Sequence, residues 1–100
     1  MLVLLAVLAG AVADMTSARA SDLKAYGEHL AGECTSCHRM DGKDKGIPSI
    51  VGWHEDSFIA VLQSYKAGER DNQAMVTVAR SLDDEQMKAL AAYFGSLRIQ

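Results

Sequence analysis

Cys34-Thr35-Ser36-Cys37-His38 is the segment in which chemically active side chains crowd together. Its C-x-x-C-H spacing is that of covalent c-type haem attachment. Two thiols three residues apart near a helix end can add to the two vinyl groups on one side of a haem. The adjacent imidazole then meets the iron from one face. Other uses of the pair fit less well. A structural zinc site needs four ligands, and His29 and His54 would have to converge from separate segments to supply them. A redox dithiol expects a strand-helix-strand context, and no such pattern is visible. A disulfide across so short a loop stabilises little. Each of these leaves the placement of His38 without a reason, so the residues point to one haem c held by Cys34 and Cys37, with His38 on the iron.

A sixth ligand must come from far along the chain to reach the other face of the iron. Met40 is too near His38. Met87 falls on the apolar stripe of a C-terminal helix and reads as core packing. Met75, 37 residues beyond His38, reads as part of a loop after the second helix. Met/His ligation characterises haem proteins that carry electrons. A thioether favours reduced iron and closes the site to small molecules. His29 and His54 read as surface residues, although a second histidine on the iron stays open as an alternative to Met75.

The elements that must position these groups are helical. The chain has 100 residues and a mass of 10.8 kDa, which fits one small domain. Apolar residues make up 49 % and charged residues 23 %, so a folded chain rather than a disordered one is expected. The net charge of −3 offers no basic surplus for phosphates, which argues against nucleic acid as a partner. Asp22 is a candidate cap for a helix from Leu23, with Tyr26, Leu30 and Cys34 at helical spacing. Gly27 interrupts it at a cost of about 1 kcal/mol relative to Ala. A second helix is predicted from Glu55 to Ala67, with Phe58, Ile59, Leu62 and Tyr65 as its stripe and Gly68 as its stop. Asp83 and Gln86 form a capping box for a last helix bearing Met87, Leu90, Phe94 and Leu97. No strand pattern is present, so the fold class is all-α, with three main helices and long loops. The stretch from Arg39 to His54 is longer than connections usually run without a function. A cofactor is the natural agent to order it.

Residues 1–20 read as a signal peptide and 21–100 as the folded domain. Met1 to Ala13 carry no charge, a run too short to span a bilayer comfortably, so no stable membrane anchor is expected. Ala18-Arg19-Ala20 supplies an A-x-A cleavage pattern. The basic n-region is missing, which suggests a start further upstream; the competing reading is a buried N-terminal helix. Cleavage would leave 80 residues with nine basic and twelve acidic groups. So small a chain often needs a cofactor for stability.

With those positions assigned, the region from Asp22 to Leu97 resembles the class I c-type cytochromes, small monohaem electron carriers of bacteria. The order of helix, C-x-x-C-H, proline loop, helix, methionine segment and C-terminal helix with the aromatic pair Tyr93 and Phe94 carries the likeness. The resemblance implies the cytochrome c fold around a covalent haem, with His38 and Met75 as axial ligands. It implies that Gly27 is where the first and last helices cross, and that the Pro48 carbonyl accepts a hydrogen bond from His38. A narrower likeness lies in Ile47-Pro48-Ser49-Ile50-Val51-Gly52, in Tyr65-Lys66-Ala67-Gly68-Glu69-Arg70 before Met75, and in Leu82 to Glu85 before Ala92-Tyr93-Phe94. These segments are similar to the periplasmic dihaem cytochromes and to the cytochrome subunit of flavocytochrome c sulfide dehydrogenase. Trp53 and His54 depart from that pattern.

Lys66 and Arg70, flanking the methionine segment, are candidates to neutralise haem propionates. Trp53 is a candidate to pack on the haem edge with its N–H towards a propionate. The expected function is single-electron transfer in the periplasm. No acid-base set suggests catalysis by the chain itself. The alternatives are the haem subunit of a sulfide dehydrogenase, taking electrons from a flavoprotein, and an open-site protein that binds gases or acts peroxidatically. Expected partners are redox proteins, among them a flavoprotein sulfide dehydrogenase subunit or a terminal oxidase. The net negative charge favours a basic docking face on such a partner.

Overall fold

The computed structural model describes residues 10–98, and side chains from Thr16 onward. Five helices follow in chain order: α1 (Gly10–Leu30), α2 (Gly32–Thr35), α3 (Glu55–Lys66), α4 (Gln73–Arg80) and α5 (Asp84–Ser96). No strand occurs among the described residues, and the fold is all-α. α1 packs on α5, while α3 packs on both α4 and α5.

The first helix starts earlier than its expected cap. Asp22 lies inside α1, exposed, because nothing between Ala11 and Ser21 stops a helix. That stretch is rich in alanine, the best helix former, and has no proline or glycine. The expected cleavage site at Ala18 to Ala20 therefore falls within α1, whereas residues 1–9 of the uncharged run lie outside the described residues. The helix also ends sooner than its apolar spacing suggests. Ala31 N–H donates to Glu28 O at 3.3 Å, a tightened last turn, and the four-residue α2 then carries Cys34.

Gly27 is buried at the crossing of α1 and α5. A Cβ built there would stand 1.9 Å from Ala89 O and 2.8 Å from Tyr93 Cβ. Only glycine lets the two backbones approach this closely. Gln86 ties the same pair of helices at their edge. Its Oε1 accepts from Asp83 N–H at 2.9 Å, its own N–H donates to Asp83 Oδ1 at 2.8 Å, and its Nε2 donates to Tyr26 OH at 3.3 Å. The capping box read from the sequence is complete.

The core joins Ala31 to Phe58 and Leu62 of α3, and to Met87, Leu90, Ala91 and Phe94 of α5. Phe94 is fully buried and stacks on Phe58 with centroids 5.8 Å apart. Tyr93 meets Phe94 edge-on at 5.2 Å. Burying each such side chain contributes about 1.5–3 kcal/mol. Met87 is fully buried here, the packing role expected of it.

The segment from Met75 onward is helical rather than the expected loop. Asn72 Oδ1 accepts from Met75 N–H at 3.0 Å, which starts α4 and puts Met75 in its first turn. Val76 and Ala79 are buried residues of this short helix, which packs against α3. Gly68, at φ +77°, turns the chain out of α3 in a conformation other residues avoid.

Candidate functional site

The C-x-x-C-H segment closes on itself as a turn of helix. Cys37 N–H donates to Cys34 O at 3.2 Å, and His38 N–H donates to the same oxygen at 2.8 Å. Residues three and four apart share a helix face, so Cys34, Cys37 and His38 are presented together. All three line one cavity of about 310 Å³, within the range of small-molecule sites. Met75 lines the same cavity, brought from α4 by a chain path of 37 residues.

The His38 ring is oriented by the long loop. Its Nδ1 lies 2.6 Å from Pro48 O. A carbonyl only accepts, so Nδ1 carries the proton and donates, and Nε2 keeps a lone pair free for a metal. The loop is ordered by short-range bonds of the same kind. Arg39 Nη2 pairs with Asp41 at 2.6 Å, Asp41 accepts from Lys43 N–H at 2.9 Å, and Asp44 accepts from Gly46 N–H at 2.9 Å. Its far end is fastened to α5, where Gly52 N–H donates to Phe94 O at 2.9 Å.

The remaining walls are mainly apolar. Phe58, Val61, Leu62 and Tyr65 present one face of α3, and Leu82 and Leu90 close the floor towards the core. The helical stripe read from the sequence finds three of these four α3 residues. It includes Ile59, which packs on the core instead, and omits Val61. Asn72, Ile50 and Val78 also line the cavity, and the sequence reading did not single them out. The 3.6-residue spacing of α3 could have flagged Val61, whereas no local signal marks the others.

The side chains proposed from sequence to surround the haem divide. Arg70 lines the cavity, with its Nε on Ser64 Oγ at 2.7 Å and its guanidinium 5.6 Å from the Tyr65 ring centre. Pro48 and Trp53 line it too. Trp53 Nε1 donates to Ser49 O at 2.9 Å, so its N–H is spent on the loop rather than turned to a propionate. Lys66 is not among the cavity residues. Its Nζ donates to Leu82 O and fastens the end of α3 to the approach to α5. His29 and His54 are exposed and line no part of the cavity.

Electrostatics separate the possible uses of the cysteines. Burial, with the neighbouring Glu33 charge adding to it, pushes the Cys34 thiol up to about 11. A redox-active thiol has the opposite shift. Among the described residues, no group of three or more His, Cys, Asp or Glu side chains could hold a metal ion. An apolar cavity edged by two thiols, with one imidazole oriented through its far nitrogen and one thioether, fits a covalently attached haem.

The comparisons agree with this geometry. Residues 24–98 match the family model described as Cytochrome c. The chain is 36 % identical over 92 residues to cytochrome c-553 of Helicobacter pylori, spanning 89 % of this chain and 92 % of that protein. It is 32 % identical over 77 residues to cytochrome c-554(548) of Halomonas halodenitrificans, spanning 72 % and 93 %. Identity to the cytochrome subunit of sulfide dehydrogenase of Chlorobaculum tepidum is 35 % over 72 residues, 71 % of this chain and 66 % of that subunit.

Proposed function

The chain belongs to the cytochrome c family, and from that premise we propose that it is a periplasmic carrier of single electrons with His38 and Met75 as axial ligands. That it is an electron-carrying protein with covalently bound haem c follows from the family and its relatives. The haem supplies the redox centre, whose iron takes up and gives back one electron.

The chain's residues do the rest. Cys34 and Cys37 hold the group by thioether bonds from one turn. Pro48 O fixes the proton of His38 on Nδ1 and so presents Nε2. Phe58, Leu62, Leu82 and Leu90 keep water from the cavity floor, and Arg70 supplies a positive charge at its rim. The observation that carries the ligand assignment is the convergence of Cys34, Cys37, His38 and Met75 on one cavity. Export is supported by the uncharged run from Met1 to Ala13 and the A-x-A pattern before Ser21. Among the described residues, no helix is long and apolar enough to cross a membrane.

The test is a pair of optical spectra on protein matured with haem-attachment machinery, wild type beside Met75→Ala. The expected result is a haem c haemochrome in both, with the far-red band of methionine-bound ferric iron in the wild type alone. A wild type without that band would overturn Met75 ligation, and rapid carbon monoxide binding by the reduced protein would point to an open site. A second reading, as the haem subunit of a sulfide dehydrogenase, is favoured by the similarity to the Chlorobaculum subunit. Co-purification with a flavin-containing chain would support it, and isolation as a free monomer would oppose it.

A further inference from the structure

We propose that Asn72 is a positioning residue for Met75, holding the thioether in reach of the iron by capping the helix that carries it; this rests on Met75 ligation as proposed above. α4 has only eight residues, well below the length at which a helix persists on its own. Its first turn therefore depends on its cap and on packing against α3. The packing is supplied by Val76 and Ala79, both after Met75. Met75 is half-buried against the core, and its backbone is fixed by the Asn72 side chain, whose Oδ1 accepts from Met75 N–H at 3.0 Å.

The neighbours of Asn72 strengthen the arrangement. Its backbone is extended, φ −144° and ψ 109°, and its carbonyl accepts from Val76 N–H at 2.9 Å, so it closes the first turn from both ends. Arg70, two residues earlier, is held by Ser64 Oγ and lies over the Tyr65 ring, which anchors the approach to the cap on α3. A methionine side chain is flexible and does not orient itself. Its backbone must be placed for it, and Asn72 is the residue that does so. Asn72 also lines the cavity, so a variant that keeps the cap while changing the lining is needed to isolate the role.

The experiment compares Asn72→Ala, Asn72→Ser and Asp83→Ala with the wild type in haem-loaded protein. The readouts are the far-red band, the affinity of ferric protein for imidazole, and the melting temperature. Losing a cap of ordinary strength is expected to raise imidazole affinity about fivefold in Asn72→Ala and to weaken the band. Asn72→Ser, which can still cap, is expected to stay within about twofold of wild type. Asp83→Ala removes the cap of α5 and is expected to lower the melting temperature without moving imidazole affinity. Equal imidazole affinity in Asn72→Ala and wild type, or an equal rise in Asp83→Ala, would overturn the proposal. A wild type with no far-red band would overturn Met75 ligation and this role together, whereas a wild-type band with unchanged Asn72→Ala affinity would overturn this role alone.

Discussion

Replacing Gly27 with alanine tests the α1–α5 crossing directly. The added Cβ would lie 1.9 Å from Ala89 O, 2.6 Å from Ala89 C and 2.8 Å from Tyr93 Cβ. Two of these three atoms are backbone, so no side-chain rotation relieves the clash, and the helices must separate by more than an ångström at the crossing. Overpacking of this kind costs about 1–3 kcal/mol and sometimes more. Alanine in place of glycine returns about 1 kcal/mol of helix propensity. With a backbone clash this deep, the cost falls at the upper end of its range, which leaves a net loss of about 2 kcal/mol. For a domain of this size that lowers the melting temperature by about 8–16 °C. Thermal unfolding of the haem-loaded protein, followed at the far-red band and by circular dichroism, measures it. A Gly27→Ala variant as stable as wild type, or more so, would show propensity winning and would refute the close crossing.

Phe94→Ala is expected to cost about 3–5 kcal/mol, because the ring is fully buried and stacked on Phe58; denaturant titration reads the loss. Trp53→Phe removes the donor to Ser49 O and is expected to lower stability by about 1 kcal/mol while leaving the reduction potential unchanged, since that N–H is spent on the loop. Lys66→Met is expected to leave the haem spectrum as in wild type and to lower the melting temperature, because its amine serves Leu82 O. In the loop, the hydrogen bond from Arg39 and the Lys43 N–H hold the Asp41 carboxyl down at about 2. A folded value below the unfolded one, about 3.9, means that this carboxylate's contribution is complete above the unfolded value and lost as pH falls through about 2. The Lys43 amide resonance should follow that titration, and a midpoint near 4 would contradict it.

What was legible in the sequence is what local chemistry requires to be contiguous. The C-x-x-C-H spacing puts Cys34, Cys37 and His38 on one helical turn, so the motif shows in five residues. The Asp83–Gln86 box is equally local, and both of its hydrogen bonds are present. The α3 stripe follows from its period, apart from one position. The helix around Met75 was harder to see because it is only eight residues long and its start depends on one asparagine. The Trp53 N–H and the Lys66 amine take partners other than the expected propionates for a different reason. A buried N–H or a long ammonium takes whichever carbonyl the tertiary fold brings near, and Ser49 O and Leu82 O are not marked in the sequence. The start of α1 was missed because an alanine-rich segment serves equally well as an exported leader and as a helix.

His38 and Met75, the proposed axial pair, are held in unlike ways, and this difference bears on where the site can open. His38 is fixed at both ends, by its backbone N–H on Cys34 O and by its ring on Pro48 O. Releasing its Nε2 would break a short hydrogen bond and shift a loop whose far end is fastened to Phe94 O on α5. Met75 is held by its backbone N–H and by apolar packing, on an eight-residue helix whose first turn rests on one side-chain cap. Its half-buried side chain packs against the core, but a methionine has three rotatable bonds and only a weakly accepting sulfur, so that packing holds it loosely. Local opening draws on the least stabilised segments first. External ligands should therefore enter on the Met75 side, and changes in the α3–α4 connection should alter ligand access more than changes in the loop that carries Pro48.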